Sequence, residues 1–137
     1  MKKVLVIDGQ GGRIGAALIA KLADNPDLEI TCVGANSTAT SAMMKAGAAR
    51  GATGENPVCV LSREADIIAG PVGIVLADSM LGEITEKMAS AVSSSKAIRV
   101  LIPVARCRTL VAGCRDASLS SLIDDAAAKI ADSGDDA

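Results

Sequence analysis

The sequence contains no histidine, phenylalanine, tyrosine or tryptophan. Without histidine, Ser-His and Cys-His catalysis are excluded and a metal site loses its commonest ligand. Without tyrosine, the Tyr-x-x-x-Lys pair of short-chain dehydrogenases cannot exist. Without any aromatic ring, a bound base must lie between aliphatic side chains. No G-x-x-x-x-G-K-[ST] run occurs, so there is no P-loop. Cys32, Cys59, Cys107 and Cys114 form no C-x-x-C pair, and no zinc or other metal site is expected. No apolar run approaches the ~20 residues of a membrane span. The apolar run after Met1-Lys2-Lys3 ends at Asp8, too short for a secretory signal, so a reduced, cytoplasmic setting is expected.

Half of the 137 residues are hydrophobic, enough for one core built from Val, Ile, Leu, Met and Ala. The formal charge of −2 is uneven. Residues 124–137 hold Asp124, Asp125, Asp132, Asp135 and Asp136 against Lys129, which leaves residues 1–123 at +2. That excess is too small for a nucleic-acid footprint. The expected organisation is one domain over 1–131 and a flexible acidic tail over 132–137.

Val4–Asp8 reads as a buried strand, and Ile14, Leu18 and Leu22 as the stripe of a helix that ends at Asn25-Pro26. Leu28–Val33 is a second strand, followed by a helix capped by Asn36 or Thr38 that ends near Gly47. Gly51–Pro57 reads as a loop, Val58–Leu61 as a third strand and Ile67–Ala69 as a fourth. A short helix is expected over Ile74–Met80, and Thr85 caps the next one. Ile98–Val104 is the fifth strand, with Thr109–Ala112 a candidate sixth. Leu119, Leu122, Ile123, Ala126, Ala127 and Ile130 mark a final amphipathic helix. Strands that are nearly continuous apolar runs, alternating with helices, indicate an α/β Rossmann-like fold with a doubly wound, mostly parallel sheet.

Four of the 13 glycines fall within IDGQGGRIG, residues 7–15, directly after the first strand. Glycine lets the backbone approach an anion, and the amides and dipole of the helix start then bind it. Gly9, Gln10, Gly11, Gly12, Arg13, Ile14 and Gly15 are therefore candidate contacts for a phosphate-bearing ligand. The spacing is G-x-G-G-x-x-G, nearer the G-x-x-x-G-x-G turn of short-chain dehydrogenases than G-x-G-x-x-G, with Arg13 in place of a glycine. A cation in a helix's first turn opposes the dipole by a few tenths to ~1 kcal/mol, a penalty that a bound phosphate reverses. The alternative is a solvated arginine without a role.

NAD or NADP heads the cofactor candidates, with other nucleotides behind. Rossmann units usually carry an acid at the end of strand two for the ribose. Here Asn36 stands in that region, with no carboxylate beside it. Gly70, Pro71 and Gly73 follow strand four, where a cofactor's middle would pass, although turn chemistry explains them almost as well. Catalytic candidates are weak. Cys107 lies between Arg106 and Arg108, which would lower a thiol's pKa if they faced it. Asp8 is either a base or the acceptor that holds the glycine loop, and Glu55 is a loop acid. Asp78 and Glu83 are acids that no partner spacing marks.

IDGQGGRIG, ATSAMMKAGAARGATGEN, ADIIAGPVGI, DSMLGEIT and IPVARC together resemble a small bacterial family known only as a domain of unknown function. The likeness runs from Lys3 to about Ile130. It implies a Rossmann-like fold and no established activity. The family's glycine motif typically reads IDGQGGGIG, so Arg13 departs from it, and proline is common where Glu86 lies. The leading expectation is a binder of a nucleotide, dinucleotide or other phosphate ligand, in the manner of an NAD(P)-linked oxidoreductase, without nucleic-acid or membrane partners. The alternative is a non-catalytic, homo-oligomeric structural or regulatory subunit that keeps the fold without cofactor. Ala42, Met43, Met44 and Ala46 serve either an interface or a core.

Overall fold

A computed structural model describes residues 1–104, 108–114 and 117–133. Five strands alternate with helices: β1 (Lys2–Asp8), α1 (Arg13–Leu22), β2 (Leu28–Gly34), α2 (Ser37–Lys45), β3 (Arg50–Thr53), α3 (Glu55–Leu61), β4 (Ile67–Pro71), α4 (Glu86–Ser93), β5 (Ile98–Ile102) and α5 (Leu119–Asp132). A short 3₁₀ turn, Val72–Val75, follows β4. All strand pairings are parallel, in the order β3-β2-β1-β4-β5. This is the expected α/β Rossmann-like architecture.

Strand periodicity sorts the core into two layers. Val4 and Val6 face Leu18, Leu22, Met43, Ile123 and Ile130, from α1, α2 and α5. Leu5 and Ile7 face the opposite layer, with Val58, Ile74, Met88 and Val92 from α3, the 3₁₀ turn and α4. Each such side chain, removed completely from water, contributes about 1.5–3 kcal/mol. Met43 is therefore core, and Ala46 packs against it, while Met44 is 39% exposed. The α2 segment thus gives little support to an interface there.

The third strand lies elsewhere than expected. β3 is RGAT, within and just before the segment read as a loop, and VCVL is helical. As an outer strand, β3 carries no apolar run to betray it; its residues are exposed or half-buried. Conversely, Glu55-Asn56-Pro57 opens α3, where an acid complements the dipole and proline is tolerated in the first turn. Glu55 thus stands at a helix start instead of in a mobile loop.

Ile74–Met80 contains only the end of the 3₁₀ turn and then bends. Thr109–Ala112 forms no strand, and β5 stops at Ile102. Most of the expected acidic tail lies outside the described residues, and Asp132 belongs to α5.

Helix caps fall on the expected residues. Asn36 accepts from Ala39 N at 2.8 Å and Thr85 from Met88 N at 3.1 Å, bonds typically worth about 1 kcal/mol each. Because β1 has β2 on one side and β4 on the other, the order in which the chain adds strands reverses between β1 and β4. The carboxyl ends of these two strands, Asp8 and Pro71, border the place where such sheets hold ligands.

Candidate functional site

The glycine turn joins Asp8 of β1 to Arg13 of α1. Its first anchor is Asp8, 4% exposed, whose two oxygens each accept a main-chain amide at 2.8 Å, from Gly9 and from Gly15. The Gly15 amide is an orphan donor of α1's first turn. Gly12, the N-cap residue, has no side chain with which to cap it. The carboxylate at the end of the preceding strand does so instead. Burial pushes the Asp8 carboxyl above its ordinary 3.8; the Gly15 and Gly9 amides pull it back, and the nearby Glu83 charge raises it further.

The second anchor comes from far along the chain. Glu83 Oε1 accepts the Gln10 amide at 2.6 Å, and Glu83 Oε2 accepts Asn36 Nδ2, also at 2.6 Å. Asn36 additionally donates to the Gln10 carbonyl at 3.0 Å. Thus the head of α2, the glycine turn and the loop before α4 meet on one carboxylate. That loop carries three non-glycine residues in the left-handed region, Asp78, Met80 and Leu81, and Leu81 is 98% exposed. Ser79 Oγ ties it back to the Gly73 carbonyl at 2.5 Å.

Packing accounts for much of the glycine content. Gly12 has φ 71°, and a Cβ there would lie 2.8 Å from the Ala39 backbone of α2. At Gly15, a Cβ would lie 2.6 Å from Met43 Sδ and 3.0 Å from Asp8 Cβ. These two glycines let α1 and α2 cross closely. At Gly9 the neighbours are Met80 Sδ at 2.7 Å and Glu83 Oε1 at 2.8 Å. Gly11 alone of the four is open: it is exposed, and a Cβ would meet only Arg13 Cγ at 3.8 Å.

The other expected residues divide clearly. Arg13 is exposed and has no ion-pair partner among the described residues. Ile14 packs against the α1 core layer. Gly70 sits in β4, where a Cβ would strike the Ile7 carbonyl oxygen, and Pro71 and Gly73 are buried. Glu55 follows an outer strand, its side chain makes no hydrogen bond or ion pair among the described residues, and it is not joined to the turn. Cys107 lies outside the described residues. The structure therefore brings together Asp8, Gly9, Gln10, Gly15 and Asn36.

Sequence reasoning missed Glu83 as a member of this group. A fold contact spanning 73 residues has no local signature. The only pointer was that Glu83 lies within the DSMLGEIT segment.

No helix among the described residues is long and apolar enough to cross a membrane. No curated protein matches the chain. Among solved structures, the chain is similar to a dodecameric FMN-dependent UbiX-like decarboxylase from Escherichia coli O157:H7. That match has 16% identity and a TM-score of 0.47 and covers 93% of this chain and 76% of that one. It is also similar to an imine reductase from Myxococcus stipitatus, solved as a variant with NAD+. There the identity is 19% and the TM-score 0.46, over 74% of this chain and 33% of that one. A candidate epimerase from Bacteroides thetaiotaomicron gives 16% identity and a TM-score of 0.49, covering 93% and 62%. None of these scores reaches 0.5, and none bears on the ligand of this chain. The family is another matter: residues 3–134, nearly the whole chain, match the model of a domain of unknown function (DUF3842), and the protein belongs to that family.

Proposed function

We propose that this chain is a cytoplasmic binding protein for a phosphate-bearing small molecule, with NAD or NADP as first candidates, and that the ligand enters by exchange with the Glu83 carboxylate. The observation that carries this reading is the seat of Glu83, 2.6 Å from the Gln10 amide and 2.6 Å from Asn36 Nδ2. The outer part of the turn thus already binds an anion, and that anion is delivered by a loop. Exposed Gly11, and Arg13 with no ion-pair partner among the described residues, follow Gln10 in the turn. A phosphate offers acceptor oxygens in place of the carboxylate and carries more negative charge for Arg13 and the α1 dipole to attract.

Binding is proposed without a reaction. Asp8 is buried with both oxygens on main-chain amides, which suits it to hold the turn and not to accept a proton from a substrate.

A second reading is favoured by the same carboxylates. Asp8 and Glu83 satisfy the Gly9, Gln10 and Gly15 amides without any guest. A structural or regulatory subunit that keeps the fold without cofactor needs just such internal satisfaction.

A thermal-shift panel of NAD, NADP, FAD, ATP and S-adenosylmethionine separates the two, run on the natural chain and on Glu83→Ala. A ligand at a hundred times its Kd stabilises by about 2.7 kcal/mol, a shift of several degrees. The exchange reading expects one ligand to stabilise both proteins, Glu83→Ala at lower concentration, and Gly11→Val to lose the response while staying folded. A flat response in both proteins leaves the subunit reading.

A further inference from the structure

The two outer strands of the sheet differ in a way that the glycine turn does not explain. β3 is four residues long, is interrupted by Gly51, and its Arg50 is occupied by Glu29 at 3.7 Å and Thr31 at 3.0 Å. Shortness and charge are the usual guards of an open sheet edge. β5, at the other side, reads IRVLI, with neither proline nor glycine, and no strand pairs its outer side among the described residues. Its single charge does not guard it. Arg99 Nη1 turns back to its own chain, donating to the Ser95 carbonyl at 2.7 Å and the Ala97 carbonyl at 3.2 Å.

Beside this strand runs a groove of about 540 Å³, walled by β5 and α5. Ile98, Pro103 and Leu122 supply its apolar lining, and Leu119, 45% exposed, continues the Leu122 stripe one helical turn earlier. The charges along it balance: Arg99 and Lys129 against Asp125 and Asp132. A neutral lining that alternates sign suits neither a polyanion nor a strongly charged peptide. It suits a surface that meets itself.

We infer that the outer edge of β5 and the groove-facing side of α5 form a two-fold interface with a second copy of this chain. The strands pair antiparallel, which makes one continuous sheet from two. Centred on Val100, the pairing sets Ile98 opposite Ile102 on the α5 side, apolar against apolar, and Arg99 opposite Leu101 on the other. Centred on Arg99 it would oppose two guanidinium groups, which cross-strand pairing disfavours. The same two-fold axis runs the two copies of α5 antiparallel. An i,i+4 acid–base pair is self-complementary under that operation: Asp125 of each copy faces Lys129 of the other. These residues bond within one helix at 2.6 Å in the isolated chain, so the pairing exchanges partners and creates no unpaired charge.

The test is sedimentation equilibrium on the full chain, with Leu122→Glu and Lys129→Glu as single variants and Asp125→Lys/Lys129→Glu as the swap. Lys129 and Asp125 are exposed and Leu122 is half-buried on the helix surface; circular dichroism checks that each variant is folded. The natural chain should be dimeric, each single variant should weaken the dimer at least about tenfold, and the swap should restore it. Hydrogen exchange should show β5 amides protected in the dimer and released on dilution. A natural chain that is monomeric throughout overturns the inference and leaves the edge to a strand of some other protein. An assembly unaffected by the single variants also overturns it, because its interface then lies elsewhere.

Discussion

The glycine turn has an inner half and an outer half, and they are held by different means. The inner half, Gly12 to Gly15, is closed by neighbours in the core: Asp8 from the adjoining strand, and Ala39 and Met43 from α2. The outer half, Gly9 to Gly11, is closed by Glu83 and Met80, which belong to a loop with an almost fully exposed leucine. One half is committed to the fold. The other is covered by the side chains of a loop that runs into buried Ile84. A glycine-rich turn is thus two statements in one: its inner glycines report how closely two helices cross, and only the outer ones enter the proposed exchange with a ligand.

The largest effect should come from breaking the inner half. Gly12→Ala forces a side chain into the left-handed region, which costs roughly 1–2 kcal/mol, and drives its Cβ against the Ala39 backbone, which cannot swing aside. With overpacking adding about 1–3 kcal/mol, a loss of roughly 2–5 kcal/mol in urea unfolding is expected. Gly11→Ala is the matched control. Its site is open and its φ is not in the left-handed region, so the change should be near zero, or stabilising by up to about 1 kcal/mol through the unfolded chain. Equal losses at both positions would erase the division.

Asp8→Asn comes next. An amide offers one acceptor oxygen where the carboxylate offers two, so one of the Gly9 and Gly15 amides loses its partner, at about 1–3 kcal/mol near neutral pH. The pH dependence sharpens this. Burial raises the folded-state value of Asp8 above 3.8, so the folded protein keeps that proton when the unfolded chain has lost it. The stabilising contribution of protonation is fully present below 3.8, falls as pH rises through the folded-state value, and then levels off. The natural chain should therefore lose stability relative to Asp8→Asn across that window. Because the Glu83 charge adds to the rise, Glu83→Ala should narrow the window. A difference curve flat in pH would mean that Asp8 is solvated, and the inner half would then be no more committed than the outer.

What the sequence made legible follows the same division. Strands with continuous apolar runs, Val4–Asp8 and Leu28–Val33, were readable because burial on both faces leaves a local mark. The caps Asn36 and Thr85 were readable because capping is decided within three residues. β3 was not: RGAT is an outer strand held by pairing with β2, and nothing in four residues without a buried side chain announces it. VCVL was misread because a short apolar run fits a strand or a buried helical turn equally, and Glu55-Asn56-Pro57 before it carried the deciding helix-start signal. At the site, Asp8 and the glycines were visible as neighbours in sequence. Glu83 was not, since its place depends on where the loop after β4 returns, which only the packed fold decides.

The smallest expected loss concerns that residue. Glu83→Ala removes two short hydrogen bonds, yet the groups it frees lie at an exposed position: Gln10 is on the surface and Asn36 is half-buried and still bonded to the Ala39 amide and the Gln10 carbonyl. Water replaces the carboxylate on both, so the loss should be only about 0.5–1 kcal/mol, the net worth of a typical hydrogen bond. Hydrogen exchange gives the more telling readout. The Gln10 amide should exchange faster in Glu83→Ala, while the Gly15 amide, held by Asp8 beneath the turn, should keep its protection. If both amides open together, or if the loss rivals that of Gly12→Ala, the loop is as much a part of the core as α2. In that case no small anion can take its place without unfolding the turn.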